Sequence, residues 1–157
     1  MPIQDFNIYT SNGYAGDLVD SGPRVIQTGV LTSATAGFGV AMKRDASVER
    51  GCALGSVDGN VYAIAQREYN HEAATRPSDG STNYNLGESV SLIRQGYLYV
   101  QLTGATAITA GAALHVNKVT GAFTKVTVAG DVVACTNVFA EEAGVSGDVI
   151  KVRIDIA

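Results

Sequence analysis

The side chains able to do chemistry in this chain are few and far apart. There are two histidines, His71 and His115, and neither stands at the spacing of a metal-ligand motif or a catalytic triad. His71, beside Glu72, reads as a solvated loop residue, and His115, between Leu114 and Val116, as an outward strand residue. The two cysteines, Cys52 and Cys135, also lie in no metal-ligand pattern. They read as buried reduced thiols of a protein made in a reducing cytoplasm, a disulfide between them being the alternative. Glu141-Glu142 with Asp148, and Asp79 with Asn83 and Asn85, supply oxygen ligands. A calcium loop needs such ligands regularly spaced around a glycine, so these read as loop acids. Gly37-Phe38-Gly39 is a fragment of a phosphate loop without its third glycine or its helix, and reads as the start of a strand. No catalytic residue, cofactor or metal is expected, and the chain is expected not to be an enzyme.

Tyrosines are the remaining candidates. Tyr97 and Tyr99 fall on one face of a strand, with Tyr62 a candidate for the same face. Such rings bind sugars, stack on bases, or carry apolar area with a polar tip into a protein interface. No basic residues are interleaved with them, which removes base stacking.

The elements that position these residues are strands. In Val149-Ile150-Lys151-Val152-Arg153-Ile154-Asp155-Ile156 the isoleucines and Val152 share one face while Lys151, Arg153 and Asp155 share the other. A period of two is the mark of a half-buried strand. Similar runs cover residues 25–31, 38–43, 61–66, 89–94, 96–102, 113–117, 122–128 and 132–139. Leu98, Val100 and Leu102 are expected inward, with Tyr97, Tyr99 and Gln101 outward or toward a partner. Gln95-Gly96 marks either a tight hairpin or a bulge. Lys118-Val119-Thr120-Gly121 is a hairpin loop with glycine placed for positive φ. Residues 46–53 offer one helical turn at best, and no longer window has helical periodicity. The fold predicted is all-β, an antiparallel β-sandwich or barrel of jelly-roll-like form.

Two segments stand outside this pattern. Residues 1–23 mix Phe6, Ile8, Tyr9 and Tyr14 with turn formers, and read as an extended N-terminal arm preceding a single domain over 24–157. The arm's aromatics must dock either on the body of this chain or on a neighbour. Residues 67–88 are almost wholly polar, a length of loop that is usually functional or mobile.

Composition narrows the function classes. At 157 residues one domain buries roughly 70% of its unfolded surface. Only 17% of residues are charged, which leaves little to solvate a large surface and suits a subunit that covers part of itself with partners. The net charge is −4 and the basic residues are scattered, so nucleic acid is not an expected partner. No run of 18 apolar residues exists, so no membrane span is expected. The start, Met1-Pro2-Ile3-Gln4-Asp5, lacks the basic and apolar regions of a signal peptide, and the chain is expected to stay where it is made.

The segment from Asn12-Gly13-Tyr14-Ala15-Gly16-Asp17 through Leu18-Val19-Asp20-Ser21-Gly22 resembles the arm of tailed-phage structural cement proteins. Leu86-Gly87-Glu88-Ser89-Val90 and Ile93-Arg94-Gln95-Gly96-Tyr97-Leu98-Tyr99-Val100 resemble a strand pair of that family. Gly121-Ala122-Phe123 and Gly147-Asp148-Val149-Ile150-Lys151-Val152 also fit it, whereas residues 67–88 are longer than the connection expected there. The resemblance implies a capsid decoration protein on the outer surface of an expanded phage head, bracing junctions between major capsid subunits. It implies the major capsid protein as partner, and self-association as a homotrimer in preference to a homodimer. Phe6, Ile8, Tyr9, Tyr14, Leu18, Tyr97 and Tyr99 are the interface candidates. The other reading is a virion-surface or tail-associated β-domain that binds host carbohydrate through Tyr97, Tyr99 and the long loop.

Overall fold

The structure is a computed structural model that describes residues 13–19, 22–68, 83–104, 106–125 and 130–156. Eleven strands and no helix occur among the described residues: β1 (Val25–Leu31), β2 (Ala36–Gly37), β3 (Ala41–Asp45), β4 (Gly51–Leu54), β5 (Ala63–Ala65), β6 (Asn83–Tyr84), β7 (Ser89–Thr103), β8 (Ala113–Asn117), β9 (Phe123–Thr124), β10 (Val132–Ala140) and β11 (Val149–Ile154). The all-β fold is present, and it takes the barrel form.

One strand organises it. The first half of β7 pairs antiparallel with β1 on one side and β5 on the other, closing a ring in the order β1-β4-β3-β5-β7. Its second half pairs antiparallel with β11 and parallel with β9, closing a second ring, β7-β11-β10-β8-β9. The β1–β4 pairing is also parallel, so two contacts depart from the antiparallel expectation. Gln95-Gly96 is therefore a bulge and not a hairpin: the register slips between Val25↔Gln95 and Ile26↔Ile93, and Gly96 has φ 134°. The extra residue turns β7 from one ring into the next without ending it.

Small rings need small fillers, and the first is lined by Cys52, Ala63, Ala65, Val90 and Leu92 with Leu31 and Met42. Phe38 and Tyr84 close it, their rings edge to face at 5.2 Å. The second ring encloses Leu98, Val100, Leu102, Leu114, Val116, Phe123, Val152 and Ile154 among others. Ala41, Ile64 and Ile93 point the opposite way from Met42, Ala63 and Leu92 and join this second cluster. At Ala41-Met42, Ala63-Ile64-Ala65 and Leu92-Ile93 the sheet is thus buried on both faces, which is why Ala63-Ile64-Ala65 reads as a continuous apolar run.

The rings touch backbone to backbone. A Cβ on Gly55 would lie 1.9 Å from the Lys118 carbonyl oxygen, one on Gly59 2.1 Å from that of Ala134, and one on Gly121 2.3 Å from that of Ala41. All three have positive φ (106°, 85° and 72°), so glycine is required twice over. Asn137 adds a cross-link. Its side chain accepts from the Val61 N–H at 3.1 Å and donates to the Val61 and Asp155 carbonyls at 2.8 and 2.9 Å.

Three local expectations are corrected. Residues 46–53 form no helical turn: Gly51 begins β4, and Arg50 sits at φ 59° in the turn before it. Of the run 38–43 only residues 41–43 are strand, because Gly39 at φ 69° makes a turn between β2 and β3. The polar stretch 67–88 contains β6, whose Tyr84 is fully buried and donates to the Gln66 carbonyl at 2.6 Å. Residues 69–82, including His71 and Asp79, and residues 126–128 of the expected strand 122–128 lie outside the described residues.

Candidate interface around the docked N-terminal segment

The N-terminal segment docks on the body of its own chain over residues 13–19. Tyr14-Ala15-Gly16-Asp17 is a β-turn closed by the Asp17 N–H donating to the Tyr14 carbonyl at 2.9 Å. Gly16, its third residue, has φ 86°, the sign that a type II turn demands there. The Asp17 carboxylate accepts from the Tyr14 N–H at 2.9 Å and fixes the turn from the side.

Beyond the turn the segment runs along β7. The Gly16 N–H donates to the Tyr99 carbonyl at 2.7 Å, the Tyr99 N–H to Asp17 at 3.0 Å, and the Val19 N–H to Tyr97 at 3.0 Å. Leu18 lies opposite Leu98 as an antiparallel bridge and packs on the second core. From the other side the Arg67 N–H donates to the Gly16 carbonyl at 2.9 Å. The Arg67 guanidinium stacks 4.4 Å from the Tyr14 ring centroid, 5.7 Å from that of Phe38, and lies 3.9 Å from the Asp17 carboxylate. A cavity of about 330 Å³ remains between segment and body, lined by Gly13, Asp17, Leu18, Gln66, Arg67 and Tyr99.

Glycines make the fit close. The Gly16 and Gly39 backbones abut so tightly that a Cβ on either would stand 2.8–3.0 Å from backbone nitrogen across the contact. A Cβ on Gly13 would be 2.7 Å from the Tyr99 ring, and one on Gly22 3.3 Å from the Tyr97 ring. Each tyrosine thus carries an arm glycine on its ring, and Lys151 Nζ lies 5.2 Å from the Tyr97 centroid.

The sequence candidates fall as follows. Tyr14, Leu18, Tyr97 and Tyr99 are brought together at this seat, with Tyr14 66% exposed and the other three half-buried. Phe6, Ile8 and Tyr9 lie outside the described residues. Tyr62 is not at the seat; its hydroxyl donates to Gln27 at 3.1 Å and Arg94 stacks on its ring at 4.5 Å. Arg67 and Gly39 were missed, and only the end of the apolar run at Gln66 and the Gly-Phe-Gly triplet hinted at them.

The candidate acids hold turns. Asp148 accepts from the Val145 N–H at 2.9 Å, Glu142 from the Lys151 N–H at 3.2 Å, and Glu141 pairs with Arg153 at 3.5 Å. No group of three or more metal-ligating side chains occurs among the described residues. Cys52 and Cys135 are free and buried; burial pushes the Cys52 thiol up to about 11 and Cys135 to about 12. Such thiols are inert at neutral pH.

Comparison with known proteins agrees with this architecture. The structure is similar to a chain in the capsid of Myoviridae phage XM1, with TM-score 0.68 and 16% identity over 92% of this chain and 91% of that one. It is also similar to the N base of head fibre gp8.5 of bacteriophage phi29, with TM-score 0.50 and 10% identity over 85% and 95% of the two chains. No curated protein matches the sequence. The family of structural cement proteins (E217 gp24/Pam3 gp6) matches residues 1–155, nearly the whole chain, and this protein therefore belongs to the phage structural cement family.

Proposed function

We propose that this protein binds the outer surface of an expanded phage head and braces the junctions between major capsid subunits, without catalytic activity. Family membership across residues 1–155 carries the reading, since it implies a capsid-associated structural role. Physical features support it. The two rings share a covalent strand, which makes a stiff body. Glu141, Glu142 and Asp148 are engaged in turns and an ion pair.

Residues 1–23 act as the arm, with 13–19 as its anchor on β7, and residues 1–12 are needed for shell binding. Tyr14, largely exposed at the root of the arm, offers the apolar area such a contact uses. The protein is made in the host cytoplasm and joins the virion as a homo-oligomer, a trimer in preference to a dimer, with avidity multiplying weak contacts. Carbohydrate binding by Tyr97 and Tyr99 loses support because glycines of the arm and Lys151 already occupy their rings.

The test is co-sedimentation with DNA-free head shells of the encoding phage, before and after expansion. Saturable binding to expanded shells is expected, with loss of binding when residues 1–12 are removed and the anchor is kept. Equal binding by the truncated chain refutes the arm's role, and failure of the full chain to bind either shell refutes the cement reading.

A further inference from the structure

Four of the chain's 11 basic residues, scattered in sequence, gather on one surface of the first ring. Lys43 and Arg44 come from β3, Arg50 from the turn before β4, and Arg94 from the bulge in β7. They surround Tyr62 and line two adjoining cavities of about 190 and 270 Å³ that share Arg44 and Tyr62. Among the described residues none of the four makes an ion pair within 4 Å, whereas Arg67 and Arg153 each do. Glu49 is the one acidic residue lining either cavity.

Two details mark this as more than a solvated face. Arg94 Nε is buried and has no hydrogen-bond partner, although its guanidinium is held in place by the Tyr62 ring. A buried donor left unmet is costly unless something supplies an acceptor. Arg50 keeps a left-handed backbone at φ 59°, which is unfavourable for a residue with a side chain. The turn is over-determined: the Val30 N–H donates to the Arg50 carbonyl, and the Gly51 N–H to Val48, both at 2.9 Å. Asp45, at its base, accepts from the Ser47 and Thr32 hydroxyls and acts on Lys43 only through space, without a contact within 4 Å.

We propose that this basic hollow is a docking site for a carboxylate-rich segment of a neighbouring protein, and, resting on the cement reading, that the neighbour is a capsid subunit. Carboxylates fit because guanidinium forks recognise them in pairs. A nucleic-acid backbone fits poorly: it needs a long basic stripe, and the chain as a whole carries net charge −4. Of this chain's own acids, Glu141, Glu142 and Asp148 already serve their own turns and Arg153, which favours a different chain as the donor.

The test is a titration of the full-length chain with hexaglutamate, read by NMR at the backbone amides of β3 and β4 and at Arg94 Nε. Saturable shifts that weaken with salt are expected, with affinity roughly ten-fold lower in the Arg44→Gln/Arg50→Gly double variant. Glycine suits the left-handed backbone at position 50, so the variant keeps the wild-type melting temperature, measured in parallel. No shift at Arg94 Nε, undiminished binding by the variant, or equal binding to a short DNA duplex overturns the proposal. The same variant is then sedimented with expanded shells. Wild-type shell binding by the variant overturns the capsid assignment while leaving the cement reading intact. Failure of the wild type to bind shells, with hexaglutamate binding retained, refutes the cement reading and keeps the carboxylate site.

Discussion

Replacing Gly55 by alanine tests whether the two rings are welded at their glycine contacts. Two costs add. The first is the left-handed backbone: Gly55 has φ 106°, and an L side chain there costs about 1–2 kcal/mol. The second is the approach of Lys118, whose carbonyl oxygen lies 1.9 Å from the Cβ position, so one backbone must retreat by more than an ångström. That retreat strains the Gly55 N–H bond to Ala41 (2.9 Å) and the longer Ser56 N–H bond to Lys118 (3.4 Å), about 1 kcal/mol each. Repacking against a rigid neighbour adds about 1–3 kcal/mol. Gly147→Ala isolates the first cost, because Gly147 has φ 91° but nothing within 4 Å of its Cβ. Chemical denaturation should show Gly55→Ala less stable than Gly147→Ala by about 3–5 kcal/mol, the sum of the bond and repacking terms. For a chain of this size that is a melting temperature lower by on the order of 10 °C. Equal losses in the two variants would refute the weld at Gly55.

Two further outcomes follow from single side chains. Asn137→Ala leaves the Val61 N–H and the Val61 and Asp155 carbonyls without their partner, and should cost about 3 kcal/mol or more in urea denaturation; a loss under about 1 kcal/mol means that water replaces the amide. The Ser47 and Thr32 hydroxyls hold the Asp45 carboxyl down from 3.8 to about 2, so its contribution is complete above pH 3.8 and lost as pH falls to about 2; melting curves of wild type and Asp45→Asn should converge across that window, and parallel curves would show that the hydroxyl bonds do not favour the carboxylate.

Legibility in the sequence followed how local the cause was. Ala113–Asn117 has the bounds that alternation assigns, because it has one dry face and one wetter one; Val25–Leu31 has its assigned bounds too, with only Gly29 and Leu31 buried. β4 escaped because its four residues, Gly-Cys-Ala-Leu, are too few to show alternation, although it pairs antiparallel with nearby β3 and in parallel with β1. Asp58-Gly59, at φ 48° and 85°, is a tight hairpin turn with a clear sequence signature, but it joins only the Val57↔Asn60 bridge and so has no flanking pattern. Tyr84 is a single aromatic in a polar stretch, buried because the first ring needs its end closed. At the interface, the shared face of Tyr97 and Tyr99 was readable from a period of two. That Gly13 and Gly22 cover them was not, since register between distant segments is a tertiary property. The basic hollow was hidden for the same reason: Lys43, Arg44, Arg50 and Arg94 look scattered until β3, β5 and β7 pair side by side.

Under the proposed bracing role, the position of both surfaces on β7 sets how load would be carried. A strand of 15 residues spans about 50 Å, and here every residue of it but Arg94 is paired on at least one side. Arg94 of the hollow and Tyr97 of the arm seat are three residues apart on it. Tension entering at the seat therefore passes into covalent backbone and is shared at once by the ladders of both rings. Two domains joined by a linker would instead concentrate the same tension in the linker and in whatever weak interface lay beside it. The bulge at Arg94 and Gly96 is what allows one strand to serve two closed rings, since it redirects the chain without breaking it. A mutation that straightened the bulge would thus disturb the hollow, the seat and the joint together, and would affect function out of proportion to its small effect on either core.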